Sequence, residues 1–242
     1  MLQTLFPRSC CSCGKGPWPF CNSCLVGLQP LGVGRSCRRC WAPATGDECR
    51  QCPPDPLSMT RSAFRFEGSA RAAVLRMKFG GEGAVASALG GAMAAVSADL
   101  LPVDLVTWVP LSQKRLSTRG YDQARLLARR VSRELNLPAR RMLGRVRDIP
   151  PQARSGADQR VAAIEGIFVS KREAPASVLL VDDVLTTGAT ASECARVLMM
   201  VGAERVVLLT AARSMLRSGD GAVLSSVRFQ SGSVVARGVS PR

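Results

Sequence analysis

The 242-residue sequence predicts an α/β protein in which a parallel sheet flanked by helices follows a small cysteine-rich module. Apolar, β-branched stretches alternate with helical patterns through the middle of the chain, which is typical of a parallel sheet. Nine of the ten cysteines fall within the first 52 residues, where few apolar side chains are available for a core. Bound metal would therefore supply the folding energy of this module. We divide the chain into a module at 1–56, an α/β domain at 57–213 and a loosely ordered tail at 214–242.

Four consecutive Cys-x-x-Cys pairs indicate two structural zinc sites. The two-residue spacer lets two thiolates of one tight turn bind the same ion, and two such pairs complete a tetrahedral Cys₄ site. Pairing in chain order gives two successive sites, although a cross-braced arrangement that joins the first pair to the third also fits the spacing. Four repeats outside a βαβ context argue against redox-active disulfides. The predicted zinc ligands are Cys10, Cys13, Cys21, Cys24, Cys37, Cys40, Cys49 and Cys52.

The remaining side chains of the module have structural interpretations. Cys11 lies beside a predicted ligand and is interpreted as a spare cysteine. Trp18, Phe20 and Trp41 could stack on nucleic-acid bases, but in so small a module we expect them to pack over the metal sites.

Regular structure in the α/β domain is predicted from hydrophobic periodicity and breaker residues. The uncharged stretch 83–98 is too short, and too rich in Ala and Gly, for a membrane span, so we expect a buried helix and no membrane insertion. Residues 1–11 have no apolar stretch of signal-peptide length, which predicts a cytoplasmic protein. Strands are predicted at 62–66, 104–109, 178–181 and 205–210, and helices at 69–79, 84–100, 124–135 and 192–201.

The most informative segment is VLLVDDVLTTGAT at 178–190. Its first four residues predict a buried parallel strand, and Asp182 and Asp183 follow directly. Gly188 lets the backbone close on a ligand, and the N-terminus of the next helix favours an anion. Two carboxylates would repel a phosphate group, so we expect them to face hydroxyl groups or a metal ion. A ribose 5-phosphate satisfies both requirements.

A second candidate site lies upstream, after the predicted strand 104–109. Lys114, Arg115 and Arg119 precede the helix that is predicted to begin near residue 124. A strand, a tight basic turn and a helix start favour a pyrophosphate-binding loop. The arginines at positions 129, 130 and 133 fit the alternative of a solvated helix face better.

The 178–190 segment resembles the ribose-phosphate signature of the type I phosphoribosyltransferases, and all 13 positions fit that signature. The alternative is an ordinary helix N-cap after a strand. The resemblance implies a type I phosphoribosyltransferase-like sheet in which Asp182 and Asp183, the predicted catalytic pair, hold the ribose 2- and 3-hydroxyls. It also implies that the 5-phosphate of phosphoribosyl pyrophosphate is bound by Thr186, Thr187, Gly188, Ala189 and Thr190.

A mobile loop is predicted at 147–156, where Pro and Ser-Gly pairs interrupt regular structure. In type I phosphoribosyltransferases such a loop closes over the substrate and excludes water. The predicted loop contacts are Arg145, Arg147, Gln152 and Arg154.

Together with the cysteine module, these segments resemble the ComF family of competence-associated proteins, also called GntX-like. That family joins a double zinc ribbon to a phosphoribosyltransferase domain, and the resemblance runs from about Cys10 to Arg213. The chain departs from the family pattern at three positions, where His, Asn and Thr are usual. The matching positions include Lys78-Phe79, Val109-Pro110-Leu111, Arg119-Gly120-Tyr121 and Gln123, and the departures are Ser112, Asp122 and Ile149.

Composition limits the chemistry. The chain has 33 Lys and Arg against 18 Asp and Glu, for a net charge of +15, and it has no histidine. The absence of imidazole excludes Ser-His-Asp and Cys-His catalysis. The positive charge favours a polyanionic partner, and 13 of the basic residues lie within 114–160.

Two functions from different classes are compatible with these features. The first is Mg²⁺-dependent transfer of 5-phosphoribose from phosphoribosyl pyrophosphate to a nitrogen nucleophile. The second is a non-catalytic role in competence or DNA uptake, in which the protein binds single-stranded DNA and DNA-uptake or recombination proteins. A nucleotide-sensing module that binds the same ligand without turnover is a third possibility. The oligomeric state is not predicted.

Overall fold

A computed structural model of the chain describes residues 9–43, 49–79, 83–146 and 165–215. The predicted loop residues Arg147, Gln152 and Arg154 lie outside these ranges, as does the tail from residue 216 onward. The strands are β1 (Met59–Arg65), β2 (Leu105–Trp108), β3 (Gly144–Arg145), β4 (Phe168–Val169), β5 (Ser177–Leu185) and β6 (Arg205–Arg213). The helices are α1 (Asn22–Val26), α2 (Gly68–Phe79), α3 (Gly83–Ala95), α4 (Gln113–Arg119), α5 (Gln123–Leu135) and α6 (Ala189–Met200), and a 3₁₀ turn spans Ala98–Leu100.

Four parallel strands form the main sheet, in the order β1-β6-β5-β2. Alternate residues of β5 face opposite sides. Leu179 and Val181 pack with α2, α3 and α5, while Val178 and Leu180 pack with α6. The predicted parallel sheet flanked by helices is therefore confirmed, and the carboxyl ends of its strands meet at one edge.

Both edge strands of the main sheet are covered by other parts of the chain. Along β1, the N–H of Leu31 donates to the carbonyl of Ala63 and the N–H of Arg65 donates to Gln29. Along β2, the segment that follows α5 takes this role, because the N–H of Arg140 donates to Val106. This pairing satisfies backbone groups that an edge strand would otherwise expose.

The uncharged helix predicted at 84–100 is divided into α3 and the 3₁₀ turn. It packs closely on α5 at Gly90, where a Cβ atom would lie 2.7 Å from the side chain of Arg130. A larger residue would separate the two helices. None of the helices within the described ranges combines the length and apolar character that a membrane span requires.

The cysteine module shares its core with the α/β domain. Cys11 is completely buried, and Trp18 and Phe20 pack against the same cluster of apolar side chains as α2 and α3. Trp41 lies under the guanidinium of Arg61, 4.5 Å from its ring centre. The three aromatic side chains therefore have packing roles within the protein, but their contacts are with the α/β core and with Arg61 and not, as we expected, over the metal sites.

Candidate functional site

The eight predicted zinc ligands form two clusters in chain order, and within each cluster the ligand atoms lie within 4.8 Å of one another. This arrangement decides against the cross-braced alternative. Three sulfur pairs within the clusters are 3.6 to 3.7 Å apart. Tetrahedral zinc with Zn–S bonds of about 2.3 Å requires about 3.8 Å between sulfurs, so both clusters fit the ion. The first Cys₄ cluster comprises Cys10, Cys13, Cys21 and Cys24, and the second comprises Cys37, Cys40, Cys49 and Cys52.

Buried arginines attach the second Cys₄ cluster to the sheet. Arg213, at the end of β6, is 1% exposed and donates to the carbonyls of Cys40, at 3.0 Å, and Gln51. Arg61 in β1 is 2% exposed, donates to Arg38 and Arg39 and forms an ion pair with Asp99. These guanidinium groups donate to backbone carbonyls of the metal-binding turns and so join the turns to β1 and β6.

The acid pair, Asp182 and Asp183, lies within β5, because this strand extends four residues beyond its predicted end. Asp183 continues the series of side chains that faces α2. Its Oδ1 lies 2.9 Å from Nζ of Lys78, and the two side chains are 16% and 20% exposed. Lys78 belongs to a motif of the resemblance, but its contact with the acid pair could not be predicted from the sequence.

Asp182 is in a strongly perturbed electrostatic environment. Burial, reinforced by the negative charge of Asp183, raises the pKa of Asp182 to about 8. The ammonium of Lys78 acts in the opposite direction, and Asp122 adds a further increase. Burial also raises the pKa of Asp122. Asp183 of β5 and Asp122 at the start of α5 therefore both disfavour ionisation of Asp182 at the carboxyl edge of the sheet.

The predicted phosphate loop, residues 186–190 and called the phosphate loop below, follows β5 and leads into α6. Gly188 has a φ of +86°, a left-handed conformation that favours glycine, and it is the N-cap of the helix. The Oγ1 of Thr187 accepts a hydrogen bond from the N–H of Ala189 at 3.4 Å. Thr186 is exposed and Thr190 is half-buried. The loop therefore carries three threonines and the first N–H groups of α6 directly after the acid pair.

The basic segment after β2 is a helix and not the tight turn that we expected. The Oγ of Ser112 caps α4 by accepting from the N–H of Arg115, and Gly120 ends the helix in the left-handed conformation. Lys114 and Arg115 are exposed on this helix. Arg119 is half-buried, donates to Oε1 of Gln123 and lies 5.2 Å from the ring centre of Phe79.

Strand pairing places the basic segment beside the acid pair. The N–H of Val109 donates to the carbonyl of Val181, so β2 and β5 end next to each other. The hydroxyl of Tyr121 donates to the carbonyl of Met77, one residue before Lys78. The predicted ribose-phosphate and pyrophosphate residues within the described ranges therefore emerge at the same edge of the sheet.

Arg145 is the one predicted loop contact within the described residues. It lies in β3, which pairs with β4 as a separate two-stranded sheet, and its guanidinium is 5.5 Å from the ring centre of Phe168. Nearby, Glu193 of α6 is 4% exposed and accepts from the N–H of Gly166 at 2.9 Å. The second of these contacts attaches Gly166 to the phosphate-loop helix α6.

Several known proteins are similar in sequence to this chain. No family model matches the chain. Competence protein F of Haemophilus influenzae is 38% identical over 111 residues, which are 44% of this chain and 48% of that protein. Competence protein ComFC of Bacillus subtilis is 28% identical over 195 residues, 75% of this chain and 78% of that protein. DNA utilization protein YhgH of Escherichia coli is 27% identical over 214 residues, 83% and 92% of the two chains.

Solved structures with distant similarity include glutamine phosphoribosylpyrophosphate amidotransferase from B. subtilis. It has a TM-score of 0.40 and 20% identity, over 57% of this chain and 30% of that one. The purine phosphoribosyltransferase from Pyrococcus horikoshii has a TM-score of 0.32 and 14% identity, over 55% and 76% of the two chains.

The alignments with ComFC and YhgH cover 75% and 83% of the chain, and these relatives are named as competence and DNA-utilization proteins. The two Cys₄ clusters and the motif at the end of β5 are the features that indicated the same group. The chain is therefore a homologue of these competence and DNA-utilization proteins.

Proposed function

We propose that the carboxyl edge of the sheet binds phosphoribosyl pyrophosphate together with Mg²⁺ and transfers its phosphoribose to a nitrogen nucleophile. The observation that carries this proposal is the direct succession of the acid pair, the left-handed Gly188 and the N-terminus of α6. The N–H groups and threonine hydroxyls of the loop would bind the 5-phosphate, because a helix N-terminus favours an anion. Asp182 and Asp183 would accept hydrogen bonds from the ribose hydroxyls.

The donor set is compatible with Mg²⁺, which prefers carboxylate oxygens and the phosphates of its substrates. Two carboxylates and one ammonium, that of Lys78, meet at the edge of the sheet, so the acid pair retains a negative charge when both members are ionised. When bound, the ion would neutralise charge that develops on the leaving pyrophosphate. Arg119 would reach the same pyrophosphate, and Lys114 and Arg115 would add positive charge from the exposed face of α4.

The transfer itself requires little acid–base chemistry from the protein. The bond between C1 of ribose and the pyrophosphate oxygen breaks, and its electron pair leaves with the pyrophosphate. A bond forms between C1 and the incoming nitrogen, whose proton passes to solvent. The acid pair would orient the sugar, and the chain would hold the 5-phosphate and the pyrophosphate at separate places. Catalysis would therefore rest on positioning and on electrostatics.

Calorimetric titration with phosphoribosyl pyrophosphate, with and without Mg²⁺, tests the binding step. The wild type should bind in the presence of Mg²⁺, and the double variant Asp182→Asn/Asp183→Asn should not. Glu204→Gln, an exposed carboxylate at the start of β6 and thus at the opposite end of the sheet, is the matched control. Release of pyrophosphate in the presence of a panel of nucleobases then measures turnover. Absence of Mg²⁺-dependent binding by the wild type would exclude the proposal.

A second candidate function is the binding of single-stranded DNA, because the relatives are named for competence and DNA utilization. The observation on this chain that favours it is a line of exposed arginines at successive i, i+4 positions of α5. Such a stripe can follow the phosphates of a strand. The arginines are Arg125, Arg129 and Arg133.

A further inference from the structure

The second Cys₄ cluster leads directly to the phosphate loop. Pro53 follows the ligand Cys52 and packs on Gly188, where a Cβ atom would lie 2.3 Å from Cβ and 3.1 Å from Cα of the proline. Ser192, in the first turn of α6, is 2% exposed and donates from Oγ to the carbonyl of Pro54 at 2.7 Å. The two prolines therefore contact both the left-handed residue of the loop and the beginning of its helix.

Two kinds of attachment determine where these prolines lie. On one side, Arg213 donates to the carbonyls of Cys40 and Gln51, which belong to both metal-binding turns of the cluster. On the other side, the sulfurs of Cys49 and Cys52 would be fixed by the metal that the cluster fits. Because a proline has a fixed φ, a displacement of Cys52 is passed on to the backbone that faces Gly188.

We propose that the second Cys₄ cluster, when it holds zinc, positions the phosphate loop through Pro53 and Ser192. Glycine in the left-handed conformation has many alternative conformations, and packing against a rigid neighbour removes them. Loss of the metal would release the two prolines. Gly188 would then lose its packing against Pro53, and Ser192 would lose its hydrogen-bond acceptor, the carbonyl of Pro54. This inference rests on the proposed function of the loop as the phosphate site.

The first Cys₄ cluster provides a matched comparison, because it contacts a different part of the domain. Arg76 of α2 donates to the carbonyl of Cys10 and to Oγ of Ser9, both at 3.2 Å. A substitution in this cluster removes the same kind of ligand and the same metal, but it leaves the prolines beside Gly188 in place.

Hydrogen–deuterium exchange of the zinc-loaded full chain tests the positioning role without any ligand. In Cys49→Ser, amides of residues 186–192 should exchange about tenfold faster or more, because this segment opens locally. In Cys13→Ser they should exchange at the wild-type rate. Cys49→His, which retains a zinc-binding side chain, should restore the slow rate. An unchanged rate in Cys49→Ser, with loss of one zinc verified by metal analysis, would overturn the inference.

Two substitutions that keep all eight zinc ligands make the test independent of global folding. Ser192→Ala removes the hydrogen bond to Pro54, and Pro53→Gly removes the ring that packs on Gly188. Both should accelerate exchange in 186–192 and weaken binding of phosphoribosyl pyrophosphate, while zinc content stays at two and exchange in β5 and β6 stays slow. If the wild type binds no phosphoribosyl pyrophosphate, the proposed function fails, and the exchange rates still decide whether the cluster positions the loop. Exchange of residues 186–192 at the wild-type rate in both variants would refute the positioning role of the cluster.

Discussion

The ammonium of Lys78 lies 2.9 Å from a carboxylate oxygen of Asp183, so the last turn of α2 is joined to the end of β5. Both side chains are mostly buried, at 20% and 16% exposure. The pair connects the motif position Lys78, at the end of α2, to the acid pair of the candidate site. Lys78 also reduces the repulsion between the two adjacent carboxylates.

We expect Lys78→Met to lower the free energy of unfolding by about 1–3 kcal/mol, because it leaves the carboxylate of Asp183 poorly solvated and without its cation. Urea denaturation at pH 7 measures the change. Combining Lys78→Met with Asp183→Asn should cost less than the sum of the single changes. Strict additivity would contradict a direct coupling, and Lys114→Met, at an exposed position of α4, should have little effect.

The perturbed carboxyl group of Asp182 predicts a particular dependence of stability on pH. Its pKa is about 8 in the folded protein, against an ordinary value of 3.8. Because the folded value is raised, the contribution of Asp182 to stability is fully present below about pH 4 and is lost as the pH rises towards 8.

Asp182→Asn should remove this loss of stability, because the asparagine amide does not titrate between about pH 4 and 8. Relative to the wild type, the variant should therefore gain stability at pH 8 compared with pH 5, as measured by urea denaturation at both values. Glu204→Gln controls for the removal of one negative charge. If the free energies of unfolding of wild type and variant differed by the same amount at both pH values, Asp182 would titrate normally.

Zinc content tests the assignment of the cysteines. Wild-type protein should contain two zinc ions per chain by elemental analysis, and Cys11→Ser should also contain two. Cys11 is completely buried within the apolar core and belongs to neither cluster, so its loss should reduce stability and spare the metal. Cys13→Ser and Cys40→Ser should each contain about one. Loss of zinc from Cys11→Ser would show that the clusters are assigned incorrectly.

The parts of the site that the sequence could predict are those encoded within short segments. The Cys-x-x-Cys spacing fixes two ligands of one ion within a single turn, and the strand, acid pair and Gly188 stand within 13 consecutive residues. The helix α4 also had local signals, because Ser112 and Gly120 are suitable as its two caps. We expected a turn there because the basic residues suggested a ligand loop, although the capping residues favoured a helix.

Contacts between segments that are distant in the sequence could not be predicted, because no local motif encodes them. Arg213 binds the carbonyls of Cys40 and Gln51, more than 160 positions earlier, through a backbone group that any residue possesses. The ion pair of Lys78 depends on α2 ending beside β5, which requires knowledge of the strand order. The contact between Pro53 and Gly188 similarly appears only when the cysteine module is placed against the sheet.

Salt dependence separates the two candidate functions through the arginine stripe of α5. Each phosphate contact to a single strand contributes a slope of about −0.7 to the plot of log affinity against log salt concentration. The triple variant Arg125→Gln/Arg129→Gln/Arg133→Gln should therefore reduce the slope for a labelled oligonucleotide by about 2 and weaken binding. These side chains are exposed on α5, whereas the acid pair and phosphate loop lie at the end of β5, so binding of phosphoribosyl pyrophosphate should be unaffected.

Fluorescence anisotropy at 50 to 300 mM salt measures the oligonucleotide affinity, and calorimetry measures the affinity for the sugar phosphate. A wild-type slope in the variant would exclude the stripe as a DNA-binding surface, because removal of three positive charges from a strand's path cannot leave counterion release unchanged.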